Sequence, residues 1–319
     1  VFHEAISWMI QGVLWISRQS YGMLTIGHVP FLWVLLFYFM TGLWIWKKNG
    51  QNRHIRISLA YVIMIILIWI PMARRKSLAF LDVGQGDCFV ADTKSGMIIF
   101  DGGSSSEDQV GRYRILPYMK YLGYQKIQIA VISHMDIDHY SGIKELLEMG
   151  KIKYLGLPEI PKDETMKKII GIAKKRGTTI FYLSRGRQIT TKDGSLKVLH
   201  PQKNSQMEKN AASLVMQGKI LGYRVLLTGD VEKEGEEELL SEELERADIL
   251  KAAHHGSKNS TSNEFLQKVQ PKQTVISCGK QNRYGHPHLE TIHRLQTYRT
   301  KIYRTDRSGA IIFFKRRDG

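Results

Sequence analysis

The chain has 319 residues, is 43% hydrophobic and carries 46 Lys and Arg against 30 Asp and Glu, a formal net charge of +16. That length holds one large core plus something smaller, and the basic excess favours an anionic partner, either nucleic acid or an anionic lipid surface. The two cysteines, Cys88 and Cys278, are too far apart for a disulfide framework or a CxxC zinc site.

The chain starts at Val1, as a piece of a longer protein would. Its first 76 residues differ from the rest. Ile6, Met9, Ile10, Val13 and Leu14 follow helical spacing, with Trp8 and Trp15 beside them, which predicts an amphipathic helix at a membrane interface. No charged residue occurs from Val29 to Trp46, and a second uncharged run covers Ile57 to Met72. Each run is near the lower end of the roughly 17–25 residues that span a bilayer. Trp44, Trp46 and Trp69 stand at the run ends, where an aromatic belt belongs. These features predict a membrane segment over 1–76 with two transmembrane helices; a buried helical hairpin is the competing reading. The loop with Lys47, Lys48, Arg53 and Arg56 leans cytoplasmic against Arg74, Arg75 and Lys76, which places the C-terminal domain outside the cell membrane.

From Ser77 to Gly319 the chain reads as one globular domain. Leu78–Val83, Cys88–Ala91 and Met97–Phe100 read as strands punctuated by glycines. Tyr113–Leu122 and Gly142–Met149 read as helices, with strand Ile127–Ile132 between them. A helix over Asp163–Arg176 precedes strands at Thr179–Leu183, Leu196–Leu199, Ser213–Met216 and Tyr223–Leu227. Helix Val231–Leu244, strand Ile249–Ala253, helix Asn263–Val269 and strand Thr274–Cys278 follow. This alternation predicts an α/β domain of sheets with helices packed outside.

The chemistry concentrates after strands. Ser133-His134-Met135-Asp136-Ile137-Asp138-His139 places two imidazoles and two carboxylates just beyond an apolar run. That donor set suits a divalent ion such as zinc or manganese, which can turn bound water into a nucleophile near neutral pH. Asp230 ends the apolar run Leu226–Thr228, the pair His254-His255 ends another, and Tyr284-Gly285-His286-Pro287-His288 forms a third histidine-bearing turn. Strand ends on one side of a sheet converge, so these segments can build one binuclear site.

On these residues the chain resembles the metallo-β-lactamase superfamily, whose HxHxDH signature is present as His134-x-Asp136-x-Asp138-His139 with Asp for the second His. Asp82–Asp87 and Asp101-Gly102-Gly103 match that family's N-terminal strands. Together with Asn210–Val215, Lys251–Ser257 and the YGHPH turn, the order of motifs is similar to the C-terminal domain of the ComEC competence DNA-uptake channel family, and the preceding apolar helices resemble the end of its competence domain.

The resemblance implies an αββα sandwich with two divalent ions, manganese or zinc. One ion would be held by His134, Asp136 and a shared Asp230, the other by Asp138, His139, Asp230 and His255. His254 is the alternative to His255. Asn210 stands where the superfamily supplies a third histidine; His200 is a possible substitute. Asp82, Asp87 and Asp101 are expected to orient ligands or cap loops. Asp138 and His286 are the expected catalytic residues, with His286, or failing it His288, as proton donor; a phosphate contact or a ligand-orienting role is the other reading of His286. The implied function is hydrolysis of DNA phosphodiesters, degrading the strand that is not imported, with membrane lipid, the rest of the channel and other DNA-uptake proteins as partners. Two alternatives stand: a hydrolase of small phosphodiesters or esters, and a domain that guides single-stranded DNA without cutting it.

Overall fold

The computed structural model describes residues 2–18, 25, 27–46, 55, 58–63, 75–207 and 210–316. The chain divides into two compact units: Val1–Arg74 with Lys120–Gln125, and Arg75–Met119 with Lys126–Gly319.

In the first unit, α1 (Phe2–Arg18) exposes Trp8, Met9, Val13 and Trp15, and α2 (Phe31–Trp46) carries no charged side chain. At a rise of about 1.5 Å per residue, the 16 residues of α2 cover roughly 24 Å, short of a bilayer core of roughly 30 Å. Among the described residues no helix is long and apolar enough to cross a membrane. Of the second expected span, Ile57–Met72, only 58–63 are described, and they are helical. The remainder of that span, Trp69 and most of the basic loop lie outside the described residues.

The second unit is a sandwich of two seven-stranded sheets. One contains β1 (Ser77–Phe80), β2 (Phe89–Thr93), β3 (Gly96–Phe100), β4 (Ile127–Val131), β5 (Ile152–Pro158), β6 (Thr179–Leu183) and β14 (Ile311–Phe314), in the order β14-β1-β2-β3-β4-β5-β6. The other contains β7 (Gln188–Thr191), β8 (Gly194–His200), β9 (Val215–Ile220), β10 (Tyr223–Leu227), β11 (Ile249–Lys251), β12 (Gln273–Ile276) and β13 (Lys301–Arg304), in the order β13-β12-β11-β10-β9-β8-β7. Strands β3 to β6 are mutually parallel, as are β10 to β13. Parallel runs send several strand ends to the same edge, which is where ligands of open α/β sheets collect.

The strands place alternate residues on opposite faces. Leu78, Phe80, Ile98, Phe100 and Val131 of one sheet pack with Val198, Met216, Val225, Leu227 and Val275 of the other, so the main core lies between the sheets. On the far face of the second sheet, Leu226, Leu250 and Ile276 meet Leu239 of α6 (Lys233–Leu240), Phe265 and Leu266 of α7 (Asn263–Val269) and Leu295 of α8 (Leu289–Thr297). Three more helices, α3 (Leu116–Tyr121), α4 (Ile137–Glu148) and α5 (Glu164–Lys175), precede these in the chain; α4 buries Ile143, Leu146 and Leu147.

Several boundaries differ from expectation. Helix α4 begins at Ile137, five residues before the expected start, because the Asp136 carbonyl accepts the His139 amide and opens the helix inside the motif. The expected helix Val231–Leu244 shortens to α6, and the expected strand start at Ser213 moves to Val215. The Tyr113–Leu122 helix is a π-helical turn, Gly111–Ile115, followed by α3.

Candidate metal centre

The residues of the motif reach one point because β4 ends at Val131 and α4 starts at Ile137. His134 and Asp136 occupy the intervening loop, while Asp138 and His139 lie on the first helical turn. Two glycines let the neighbouring loops press against this turn. The Gly102 amide donates to the His139 carbonyl at 2.9 Å, and the Asp87 amide to the Asp138 carbonyl at 3.0 Å. A Cβ on Gly103 would lie 2.5 Å from the His139 backbone nitrogen, so only glycine permits this approach.

From the other sheet, β10 delivers Asp230 and β11 delivers His255. His254 and His255 are both left-handed, with φ of 47° and 52°. Such residues cost on the order of 1–3 kcal/mol each and persist only where the surroundings over-determine them. Here the His254 amide donates to Gly229 and the Ser257 amide to the His254 carbonyl, which fixes the turn and aims His255 inward.

The tautomers follow from the back sides of the rings. His139 Nδ1 donates to Asp101 Oδ2 at 2.9 Å, and Asp101 Oδ1 accepts the Ser133 amide at 2.7 Å. His255 Nδ1 donates to the Ser277 carbonyl at 2.9 Å. In the neutral rings the Nε2 lone pairs therefore face the site. His139 Nε2 lies 3.2 Å from Asp230 Oδ1, and His255 Nε2 lies 3.3 Å from both Asp230 Oδ2 and Asp138 Oδ2. The His134 ring centroid is 4.1 Å from that of His139, and its Nε2 is 3.7 Å from Asp136 Oδ2. The Nε2 atoms of His134, His139 and His255 are all buried without a hydrogen-bond partner. Three orphaned imidazole nitrogens beside carboxylates fit a divalent cation, since most buried polar atoms in proteins find a partner.

Asp87, His139, Asp230 and His255 each offer a donor atom within 4.8 Å of the others. Asp87 nevertheless approaches the two rings from behind, at 3.7 Å from Nδ1 of both His139 and His255. Those nitrogens are already committed to Asp101 and Ser277, so Asp87 does not share the front of the site with Asp230. It instead pairs with the Lys251 ammonium, which donates to the Gly229 carbonyl at 2.8 Å and lies 3.4 Å from Asp230 Oδ1. Lys251 is 3% exposed. It was not anticipated from the sequence; the one available signal is a lysine inside the apolar strand Ile249–Ala253.

Electrostatics reflect this crowding. Burial opposes the charge of each group, but the opposite charges around it win. The His139 imidazole is held well above its usual range by Asp230 and Asp101, and His255 is raised to about 10 by Asp230 and Asp87. Burial likewise opposes ionisation of Asp138, yet the hydrogen bond with His255 holds its carboxyl at about 2. His286 differs: burial and the neighbouring His255, His254 and His288 push it down to about 4.

His254 lines the cleft over the site, and the other expected residues have their own partners. His254 donates through Nδ1 to Glu232 at 2.8 Å, with Nε2 3.8 Å from Asp230. His200 Nδ1 donates to the Ser213 carbonyl, and its buried Nε2, without a hydrogen-bond partner, is 3.6 Å from Glu238. Asn210 lines a different depression of about 1440 Å³, with Glu232, Glu237 and Lys258. His288 caps the approach to α8 and accepts the Lys258 amide. Asp82 accepts the Gly84 amide and closes its own turn. The opening over the metal-binding groups is a cleft of about 260 Å³ lined by Asp136, Asp138, Asp230, His255, Tyr284 and His286.

Residues 81–280 match the metallo-beta-lactamase superfamily. The chain belongs to that superfamily. Metallo-beta-lactamase architecture is also seen in the fold protein YhfI from Bacillus subtilis, which superposes with a TM-score of 0.50 at 13% identity over 75% of this chain and 99% of that one. Among curated relatives, ComE operon protein 3 of Bacillus subtilis (strain 168) is 34% identical over 294 residues, covering 86% of this chain and 38% of that protein. Competence protein ComA of Neisseria gonorrhoeae is 30% identical over 248 residues, covering 75% and 32%. The resemblance to the ComEC family thus extends over most of the chain, which itself spans about a third of the length of these relatives.

Proposed function

We propose that this chain is the metal-dependent hydrolase portion of a competence DNA-uptake membrane protein, cleaving phosphodiester bonds of the DNA strand that is not imported. The observation that carries the hydrolase reading is the convergence of three buried, unpartnered Nε2 atoms with Asp138 and Asp230 at the floor of an open cleft. DNA as the substrate is supported by the competence relatives and by the net charge of +16.

Asp138, His139, Asp230 and His255 would hold one divalent ion, and His134 and Asp136 a second with a share of Asp230. Manganese or zinc bound there supplies Lewis acidity, lowering the pKa of water and neutralising charge on the phosphoryl oxygens. Asp101 and Ser277 keep the two imidazoles in the tautomer that faces the ion. His286 stands in the cleft wall, where it would donate a proton to the leaving oxygen or contact the phosphate. Residues 1–76 would serve as the membrane segment, with the exposed face of α1 in the lipid interface and residues 77–319 as an extracytoplasmic hydrolase domain. The rest of the channel is the expected partner.

The test incubates the chain with end-labelled single- and double-stranded DNA plus manganese, zinc or EDTA, beside Asp138→Ala. Metal-dependent cleavage that the variant loses is expected. The cleft of about 260 Å³ favours a second reading, a small phosphodiester substrate. Turnover of a small aryl phosphodiester with DNA left intact would select it, and salt-sensitive DNA binding without cleavage of either substrate would indicate a guiding module.

A further inference from the structure

The cleft over the metal-binding groups is lined by two segments of different origin. One follows β4 of the first sheet and places Ile137 between Asp136 and Asp138 at the start of α4. The other follows β12 of the second sheet and brings Arg283, Tyr284 and His286. Ile137 is 54% exposed and Tyr284 43% exposed. Single exposed hydrophobic residues are ordinary on a protein surface. Two of them in the cleft that holds the candidate metal ligands are different, because they leave apolar surface in water where a substrate must enter.

The backbone under both residues is fixed. A Cβ on Gly103 would lie 2.6 Å from the Ile137 carbonyl, so the Gly103 loop clamps the start of α4. The turn carrying Tyr284 is tied by Asn282. Its Oδ1 accepts the His286 amide at 2.9 Å, and its Nδ2 donates to the carbonyls of Gly279 and His286 at 3.0 and 2.6 Å. Gly285, at φ 70°, supplies the left-handed residue of that turn. The Tyr284 and His286 rings stack with planes 21° apart and centroids 5.7 Å apart, which sets the plane of the tyrosine while leaving much of it open. Arg283 donates to the Tyr284 hydroxyl at 2.7 Å. That hydrogen bond raises the pKa of the guanidinium, and Asp138 adds to the effect, so the charge of Arg283 stands within electrostatic reach of the metal-binding groups.

An open tyrosine face, an exposed aliphatic side chain and a guanidinium beside a phosphate-cleaving centre match the parts of one nucleotide: a flat base next to charged phosphate. Stacking on an aromatic ring accepts any base, but the base must first leave the duplex. The cleft of about 260 Å³ lies below the roughly 300–1,000 Å³ of sites for drug-sized ligands, a volume for one nucleotide and not for a base pair.

We propose that Tyr284 and Ile137 form a clamp for the unpaired base beside the scissile phosphate, and that this clamp makes the centre selective for single-stranded DNA. The proposal rests on the phosphodiesterase reading above and names the substrate form that the same site takes.

The test uses the full chain in detergent with manganese. Its substrates are a labelled single strand, the same sequence as a duplex, a small aryl phosphodiester, and strands lacking one base at each position in turn. The variants are Tyr284→Ala, Tyr284→Phe and Ile137→Ala, with circular dichroism and metal content measured for each. Tyr284→Ala is expected to raise KM for the single strand by roughly 5–150-fold, the range that base–aromatic stacking contributes, with a smaller change in kcat. Tyr284→Phe should recover most of the loss, and Ile137→Ala should show the same pattern at smaller size. One missing base, at a fixed place relative to the cut, should cost wild type a similar factor and cost Tyr284→Ala nothing further. Equal losses on single strand and duplex, a wild type that tolerates a missing base at every position, or an unaltered KM in Tyr284→Ala would overturn the clamp and leave the hydrolase reading intact. A Tyr284→Ala loss confined to the aryl phosphodiester would overturn it as well. Base-dependent binding of the single strand without cleavage would sustain the clamp and overturn the hydrolase reading. A wild type that neither binds nor cleaves DNA would overturn both.

Discussion

Asp87 and Lys251 illustrate how a buried pair is read by removing one member. Asp87→Asn leaves the ammonium with only the Gly229 carbonyl and Asp230 for company. Breaking such a pair costs about 3–5 kcal/mol, so the variant should lose a comparable amount of unfolding free energy in chelator, measured by urea denaturation. His200 gives a pH prediction. Burial lowers its pKa below the usual 6.5 and outweighs the Ser213 carbonyl and Glu238, which raise it. A depressed folded pKa contributes stability that is complete above the unfolded value and is lost as pH falls through the folded one. The urea midpoint should therefore drop as pH falls below about 6.5, and His200→Gln should reduce that slope. His286, at about 4, adds a slope of the same sign, so the variant reduces the effect without removing it. At this scale the dense run His134–His139 was legible because four polar donors after an apolar strand have few other uses. Lys251 was not legible, because its role depends on Asp87 arriving from the loop between β1 and β2. Asp87 itself was expected to orient ligands, and its position behind both rings could not be read without the sheets.

Helix α4 depends on contacts that local sequence does not display. Its first turn carries Asp138 and His139, and the loops of Gly86 and Gly103 pack directly on that turn. Gly103→Ala would drive a methyl into the His139 backbone. The expected outcome is a loss of about 1–3 kcal/mol of stability together with weaker metal retention, read from melting curves and metal content. Strands β6 and β10 and helix α7 match their sequence-based bounds because each is a clean apolar or amphipathic run closed by turn residues or a Ser cap. Helix α4 was placed too late because the metal motif masked its first turn: Asp and His at these positions look like loop chemistry. Strands β7, β13 and β14 are short and half-exposed, so their alternation is too brief to stand out before the partner strand is known.

Across the whole molecule, sheets with helices packed outside were legible from alternating strands and helices and the two-sheet sandwich from the family resemblance, while the strand order was not, since β14 closes the first sheet from the far end of the chain. The apolar segments were legible as composition, and α2 is shorter than the uncharged run that suggested it. The metal-binding groups come from both sheets: His134, Asp138 and His139 follow β4, whereas Asp230 and His255 follow β10 and β11. A ligand present at about 100 times its Kd stabilises a fold by about 2.7 kcal/mol, so EDTA should lower the melting temperature and saturating manganese or zinc should restore it. The same arrangement means that a bound ion acts as a clasp across the seam of the sandwich, fastening segments that lie far apart along the chain. A molecule without such an ion would then be looser at the seam, and the opened seam is where a protease would find it.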